Sequence, residues 1–258
     1  MMSETTEVDR LTVTDPVLKT VDLTRSFDSI QAVDHVDFAL ERGKLQGLIG
    51  PNGAGKTTFM RLLSGILQPD DGSIILDGED ITTLPSYERT RHGLAQSLQI
   101  ESIFPSLTVR ENVLGAINAR DGPLSPIARY DSAGEATERT IEILASVGLD
   151  DLADEPATEL SYGDQKLLEI ALALGTDPDV LLLDEPTAGL SADETRVIED
   201  LVATLAGDIS IILIEHDVDL VLRLTDSITV LHNGQVIAEG SPENVSENDR
   251  VQEVYMGR

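Results

Sequence analysis

The stretch that most limits how this chain can fold runs from Leu45 to Leu63, LQGLIGPNGAGKTTFMRLL. It reads as a buried strand, a glycine-rich turn and the opening of a helix. Gly50, Gly55, Lys56 and Thr57 fit G-x-x-x-x-G-K-[ST] at every defined position, the pattern of a phosphate-binding loop. Glycine lets the backbone turn sharply and approach a polyphosphate with no Cβ in the way. The amides of the loop and of the first helical turn then point at the phosphates, where the helix dipole favours negative charge. The nucleotide-holding set is accordingly Gly50, Pro51, Asn52, Gly53, Ala54, Gly55, Lys56, Thr57 and Thr58. Lys56 can reach the β- and γ-phosphates, and the Thr57 hydroxyl can ligate Mg²⁺. A ligand-free connector is disfavoured, because strand and helix flank the loop as the mechanism requires.

A second strand carries acids. Val180 to Leu183 is a continuous apolar run ending in Asp184-Glu185-Pro186. Such a run fits a parallel strand buried on both faces, and ligands bind at the C-terminal edge of an open α/β sheet. Asp184 is expected to hold Mg²⁺ through water, and Glu185 to orient or deprotonate an attacking water. A lone Asp-Glu pair can also start a helix; the phosphate loop upstream weighs against that here.

Around these two strands the pattern alternates β and α. Residues 17–27 alternate in part, like an edge strand. Residues 32–40 alternate more clearly, with Val33, Val36, Phe38 and Leu40 on one face. Further strands are expected at 73–76, 209–214, 227–231 and 235–239, the last two joined by an Asn233-Gly234 hairpin turn. Phe59, Leu62, Leu63 and Ile66 form the inward face of the helix after the loop. Residues 85–98 read as a helix and then an extended stretch. Thr108, with Glu111 three residues on, is a capping box opening a helix to Ala119. Residues 121–134, DGPLSPIARYDSAG, are expected to be loop on their Gly, Pro and Ser content. Helices are expected next at 136–147, within 160–174, which opens with LSYGDQ and continues as a helix with Leu167, Leu168, Ile170, Ala171 and Leu174 inward, at 192–205 and at about 217–224. The expected organisation is a flexible leader (1–15), one domain (16–240) with a mainly helical insert at about 95–160, and a polar C-terminal extension (241–258).

Composition narrows the partners. Asp+Glu 47 against Lys+Arg 18 gives a net charge of −29, the wrong sign for a nucleic-acid surface. Only four lysines occur, at 19, 44, 56 and 166. The acids are dispersed, which favours a whole-surface property, as in proteins of salt-loving organisms, over an acidic docking face. The absence of Cys excludes disulfide and thiol chemistry. The polar start MMSETTEVDR is not a signal peptide, and no apolar run approaches a membrane span. A cytoplasmic chain is expected, reaching a membrane only through a partner.

Leu160-Ser161-Tyr162-Gly163-Asp164-Gln165 lies just upstream of the Asp184-Glu185 strand. With the phosphate loop before it and His216 after it, the chain resembles the ATPase subunits of ABC transporters over nearly its whole length. That resemblance implies a P-loop NTPase core with a mostly parallel central sheet, an antiparallel β subdomain and an inserted α-helical subdomain. It implies ATP and Mg²⁺ as ligands and ATP hydrolysis as the activity. Phe27 takes the position of an adenine-stacking aromatic, and Gln99 that of a glutamine contacting Mg²⁺ and the attacking water. His216 takes that of a switch histidine at the γ-phosphate, and Ala188–Ser191 that of a loop contacting a second subunit. Ser161, Tyr162, Gly163 and Asp164 form the signature, through which Ser161 and Gly163 contact ATP held by the other subunit of a dimer. Leu98, Asp164, Lys166-Leu167 and Ala173 depart from the usual pattern.

Within the family, Phe104-Pro105, Thr108-Val109, Glu111-Asn112 and the ending Val254-Tyr255-Met256-Gly257 most resemble branched-chain amino-acid importers, the LivG-type subunit in particular. The implied partners are transmembrane permease subunits, a second cassette in a homo- or heterodimer and, indirectly, an extracytoplasmic solute-binding protein, with no nucleic acid. The implied location is the inner face of the cell membrane. Importers of urea or other amides share these features. A soluble ABC ATPase fits less well, since it needs tandem cassettes or a basic face.

Overall fold

The computed structural model describes residue 13 and residues 15–97, 103–120 and 126–256. Two long strands, β1 (Pro16–Phe27) and β2 (Ile30–Glu41), pair antiparallel. Strand β3 (Leu45–Ile49) comes next, buried throughout, and the phosphate loop connects it to helix α1 (Lys56–Leu63). Strands β4 (Asp71–Leu76) and β5 (Glu79–Asp80) complete an antiparallel sheet in the order β2-β1-β4-β5. Strand β1 is therefore an inner strand, not an edge. Its mixed alternation has a local cause: the pairing with β4 slips between Val21 and Thr24, where Asp22 has φ 54° and donates its N–H to Asp37. Polar residues collect at that bulge without exposing the whole strand. Val33, Val36, Phe38 and Leu40 are buried as expected, but Ile66 lies past the end of α1 and is 50% exposed.

Residues 85–205 begin with α2 (Ser86–Arg91) and β6 (Leu94–Gln96), with Gly93 turning between them at φ 94°. Helix α3 (Val109–Arg120) opens on the expected capping box. The Thr108 N–H donates to Glu111 Oε2 at 2.9 Å, and the Glu111 N–H donates back to Thr108 Oγ1 at 3.1 Å. Helix α4 runs from Pro126 to Ser146, which corrects the loop expected at 121–134 for all its described residues. Proline opens a helix without loss, because its missing N–H is one the first turn leaves unpaired anyway. Helix α5 (Tyr162–Gly175), strand β7 (Val180–Asp184) and helix α6 (Ala192–Leu205) come after it. Leu167, Leu168, Ile170, Ala171 and Leu174 of α5 are all buried. Strands β6 and β7 pair in parallel, Leu94 opposite Val180. Asp177, just beyond α5, accepts from Arg120 of α3 and ion-pairs with Arg139 of α4, each at 2.6 Å.

The chain then returns through β8 (Ser210–Ile214), α7 (Val218–Leu224), β9 (Ser227–His232) and β10 (Gln235–Gly240). Strand β3 lies between β8 and β9, parallel to both, and β10 pairs antiparallel with β9. The β9–β10 turn is the expected one, with Asn233 at φ 49° and Gly234 at φ 79°. Gln46 is the polar residue inside β3. Its amide donates to Thr229 Oγ1 at 2.8 Å and to Glu239 at 3.2 Å, so burying it leaves no amide donor stranded. Two short helices, α8 (Pro242–Ser246) and α9 (Asp249–Met256), end the chain's described part. Val245 and Val251 are buried in a cluster with Ile49, Val221, Ile228, Val230, Ile237 and Ala238, and Val254 packs on it.

These elements form two compact units. One comprises the residues up to Leu84 and from Ala206 onward; the other spans Pro85–Leu205. Each mixes strands with helices, and candidate residues occur in both.

Candidate functional site

In the first unit the phosphate loop is held from below at several points. The Ala54 N–H donates to Pro51 O at 3.1 Å, Ala54 O accepts from Gly234 at 2.9 Å, and the Phe59 N–H donates to Gly55 O at 2.8 Å. Two glycines have no room for a side chain. At Gly50 a Cβ would fall 2.2 Å from Leu231 O, and at Gly55, with φ 107°, one would fall 2.2 Å from Ala32 O. Any other residue at either position would push the loop off its seat. Lys56 is buried; its Nζ donates to Gly50 O at 2.7 Å and to Pro51 O at 3.3 Å, so the ammonium is aligned along the loop. Asn52, Gly53 and Thr57 are exposed, and Pro51 and Thr58 are half-buried.

Phe27 ends β1 with 41% of its surface exposed and the Arg25 guanidinium 5.0 Å over its ring. It is a surface aromatic, not a core residue. Arg25 is in turn fixed by Asp70 at 2.6 Å. His216 is exposed just beyond β8, and Asp217 beside it caps α7 by accepting from the Leu220 N–H at 3.1 Å.

In the second unit Asp184 ends β7, and Glu185 comes directly after it at φ 52°. The other described non-glycine residues with positive φ are Asp22, Asp28, His35, Asp77, Asp177 and Asn233, all of types that enter the left-handed region readily. Glu185 is the exception. A left-handed glutamate at the mouth of a buried strand is a strained residue of the kind that gathers at active sites.

Ser161 caps α5. Its Oγ accepts from the Asp164 N–H at 3.2 Å and donates to the Asp164 carboxylate at 2.6 Å. The start of this helix also interlocks with residues 188–194. The Tyr162 hydroxyl reaches Ala188 O at 3.4 Å. A Cβ on Gly163 would fall 2.7 Å from Glu194 Oε1. Glu194 accepts from the Ser191 hydroxyl at 2.6 Å and from its N–H at 2.8 Å, and these two bonds hold its carboxyl below the usual range. Sequence reasoning missed Glu194, although Ser191-x-x-Glu194 is a capping-box spacing that marks it. Gln99 lies outside the described residues.

The arrangement supplies amides and a cation for a polyphosphate and, in the second unit, a strand-end carboxylate pair. No cluster of three or more His, Cys, Asp or Glu suited to a metal occurs among the described residues. A Mg²⁺ ion needs only one or two protein oxygens, its octahedron being filled by phosphates and water. Thr57 and Asp184 are donors of that type.

Residues 33–188 match the ABC transporter family, and residues 235–258 match a second family, the branched-chain amino acid ATP-binding cassette transporter. The high-affinity branched-chain amino acid transport ATP-binding protein BraF of Pseudomonas aeruginosa is 38% identical over 94% of this chain and 98% of its own. Among solved structures, the ADP conformation of MJ1267, an ATP-binding cassette of an ABC transporter, superposes with a TM-score of 0.82 at 33% identity, covering 94% of this chain and 99% of that one. A dimeric post-hydrolysis cassette, MJ0796 with ADP and phosphate, matches with a TM-score of 0.74 at 25% identity over 87% of this chain and 98% of its own.

Proposed function

Because the chain belongs to the ABC transporter family of ATP-hydrolysing cassettes, of the branched-chain amino-acid type, we propose that it drives import of branched-chain amino acids through membrane permease subunits. The observation that carries the cargo is the match of residues 235–258, which extends the likeness beyond the generic cassette to its C-terminal segment. No helix among the described residues is long and apolar enough to cross a membrane, so attachment to the inner face of the membrane would come through the permease.

In this reading the loop amides and Lys56 bind the β- and γ-phosphates, and Phe27 offers its exposed ring to the adenine. Thr57 and Asp184, with Gln99, hold Mg²⁺, which when bound neutralises phosphate charge. Glu185 orients and deprotonates the attacking water, and His216 contacts the γ-phosphate. The second cassette is supplied by another subunit. Ser161 and Gly163, at the N-terminus of α5, present a hydroxyl, an amide and the positive end of a helix dipole to the γ-phosphate of ATP bound there. The dispersed acids, with Lys56 and Lys166 both buried, suit a surface adapted to high salt.

Glu185→Gln tests the centre of this reading. It should abolish turnover, keep ATP binding and accumulate an ATP-bound dimer, seen by light scattering with and without nucleotide. Hydrolysis at the wild-type rate would remove Glu185 from its role. Stimulation of the co-purified permease complex by leucine-loaded binding protein, and not by urea, supports the cargo; the reverse preference overturns it.

A further inference from the structure

We propose that Arg25 is a positioning residue for nucleotide binding, a cationic backing that holds the Phe27 ring ready to stack on the base. The inference rests on the reading of Phe27 as the adenine platform, and the test separates the two. Phe27 pairs with Ile30 where β1 turns into β2, and two residues further along β2 the Ala32 carbonyl lies against Gly55 of the phosphate loop. Two residues of strand span about 7 Å, so the ring is within reach of a nucleotide held by its phosphates in the loop.

An exposed phenylalanine ordinarily samples several rotamers, and a base that stacks on it must first fix one. Here the Arg25 guanidinium lies 5.0 Å over the ring centroid, and the guanidinium is itself held. Its Nη1 donates to Asp70 Oδ1 at 2.6 Å and to Gln68 O at 3.2 Å. Asp70 Oδ2 accepts from the Ser26 N–H at 2.7 Å, and the Asp70 N–H donates to Thr24 O at 2.8 Å. The β1–β2 pairing slips between Arg25 and Ser26, so one aspartate anchors the main chain at that irregularity together with the guanidinium. Arg25 Nε is buried and has no hydrogen-bond partner among the described residues. A planar, weakly hydrated guanidinium tolerates that against an aromatic face better than an ammonium would. A cation on one face of the ring also offsets the negative charge of its π cloud, which lessens the repulsion a second flat π system meets. With one face backed by Arg25 and 41% of Phe27 exposed, the ring forms a one-sided platform.

Arg25→Met removes the charge and the plane and keeps an unbranched stem. Dissociation constants of a non-hydrolysable ATP analogue and of inorganic tripolyphosphate are measured by calorimetry for the wild type, Arg25→Met, Phe27→Ala and the double variant, with thermal unfolding of each. Expected for Arg25→Met is an analogue Kd raised about two- to five-fold, the factor one exposed cation–π contact contributes. Its tripolyphosphate Kd should stay at the wild-type value. In the Phe27→Ala background the same substitution should weaken the analogue no further, because its route to the base is gone. A merely structural arginine would lower the unfolding temperature and leave both Kd values unchanged, and that result overturns the inference. So does an equal loss for tripolyphosphate, or an equal loss with and without the Phe27 ring. If Phe27→Ala by itself leaves the analogue Kd unchanged, the adenine platform is misassigned and the role of Arg25 falls with it. A weakened Phe27→Ala beside an unaffected Arg25→Met overturns the inference alone.

Discussion

Phe59 gives the sharpest test of how the phosphate loop is supported. It lies in α1, three residues after Lys56, and is fully buried. Its ring meets Phe38 of β2 edge-on, with centroids 5.4 Å apart and planes at 68°. Phe59→Ala removes that ring from a closed site. Such truncations cost roughly 3–5 kcal/mol, because lost transfer energy and the cavity left behind add. Of this, about 0.5–1.5 kcal/mol belongs to the aromatic pair. Phe59→Leu keeps most of the volume and should cost roughly 1–2 kcal/mol.

Urea unfolding followed by far-UV circular dichroism reads these differences as shifts in midpoint at constant slope. In thermal unfolding, a chain of this size moves about 2–4 °C per kcal/mol, so Phe59→Ala should melt lower by on the order of 10 °C. A double-mutant cycle with Phe38→Leu should return a coupling of about 0.5–1.5 kcal/mol. A loss below about 1 kcal/mol for Phe59→Ala would refute the reasoning, since it would mean that α1 does not depend on the antiparallel sheet for its seat.

Two further outcomes are expected from the second unit. Thr108→Ala breaks the reciprocal cap of α3 and should lower stability by about 1 kcal/mol, with faster amide exchange confined to that helix's first turn. Asp177 is held below the usual carboxylate range, first by its hydrogen bond from Arg139 and then by Arg120. A lowered carboxylate stabilises the fold above its unfolded pKa and loses that contribution as pH falls through the folded value. The melting temperature should therefore drop in acid below about pH 4, and Asp177→Asn should flatten that part of the curve while starting lower at neutral pH. An unchanged acid limb in Asp177→Asn would mean that the α3–α4 clamp does not act.

What the sequence made legible was local. The phosphate loop needs particular residues within a few positions, as do the Thr108–Glu111 cap and the Asn233-Gly234 turn, and each is where the pattern put it. The apolar run at β7 announced a parallel strand because such a composition fits burial on both faces. The failures share a different cause. Whether β1 is inner or outer depends on β4 returning to its free side, information held some fifty residues away. Pro126 reads as a breaker or as a helix opener according to the residues C-terminal to it, and Gly and Ser nearby tipped the reading the wrong way. The strain at Glu185 has no sequence signature, since a backbone angle is imposed by the surrounding fold.

The same long-range contacts explain why the loop cannot be understood from its own residues. The first unit is discontinuous in sequence, built from the residues up to Leu84 and those from Ala206 on. The loop is where these two portions meet. Ala32 from the N-terminal portion stands against Gly55, while Leu231 and Gly234 from the C-terminal portion stand against Gly50 and Ala54. The glycines make close approach possible, but the backbone they approach belongs to other strands. A loop pre-shaped by its neighbours loses less conformational entropy on taking up a polyphosphate than one that must order itself. Its affinity is thus partly a property of β9 and the β9–β10 turn. Damage to the β9–β10 turn at Asn233-Gly234 should accordingly appear first in nucleotide binding, while the central strands, each buried on both faces, still hold.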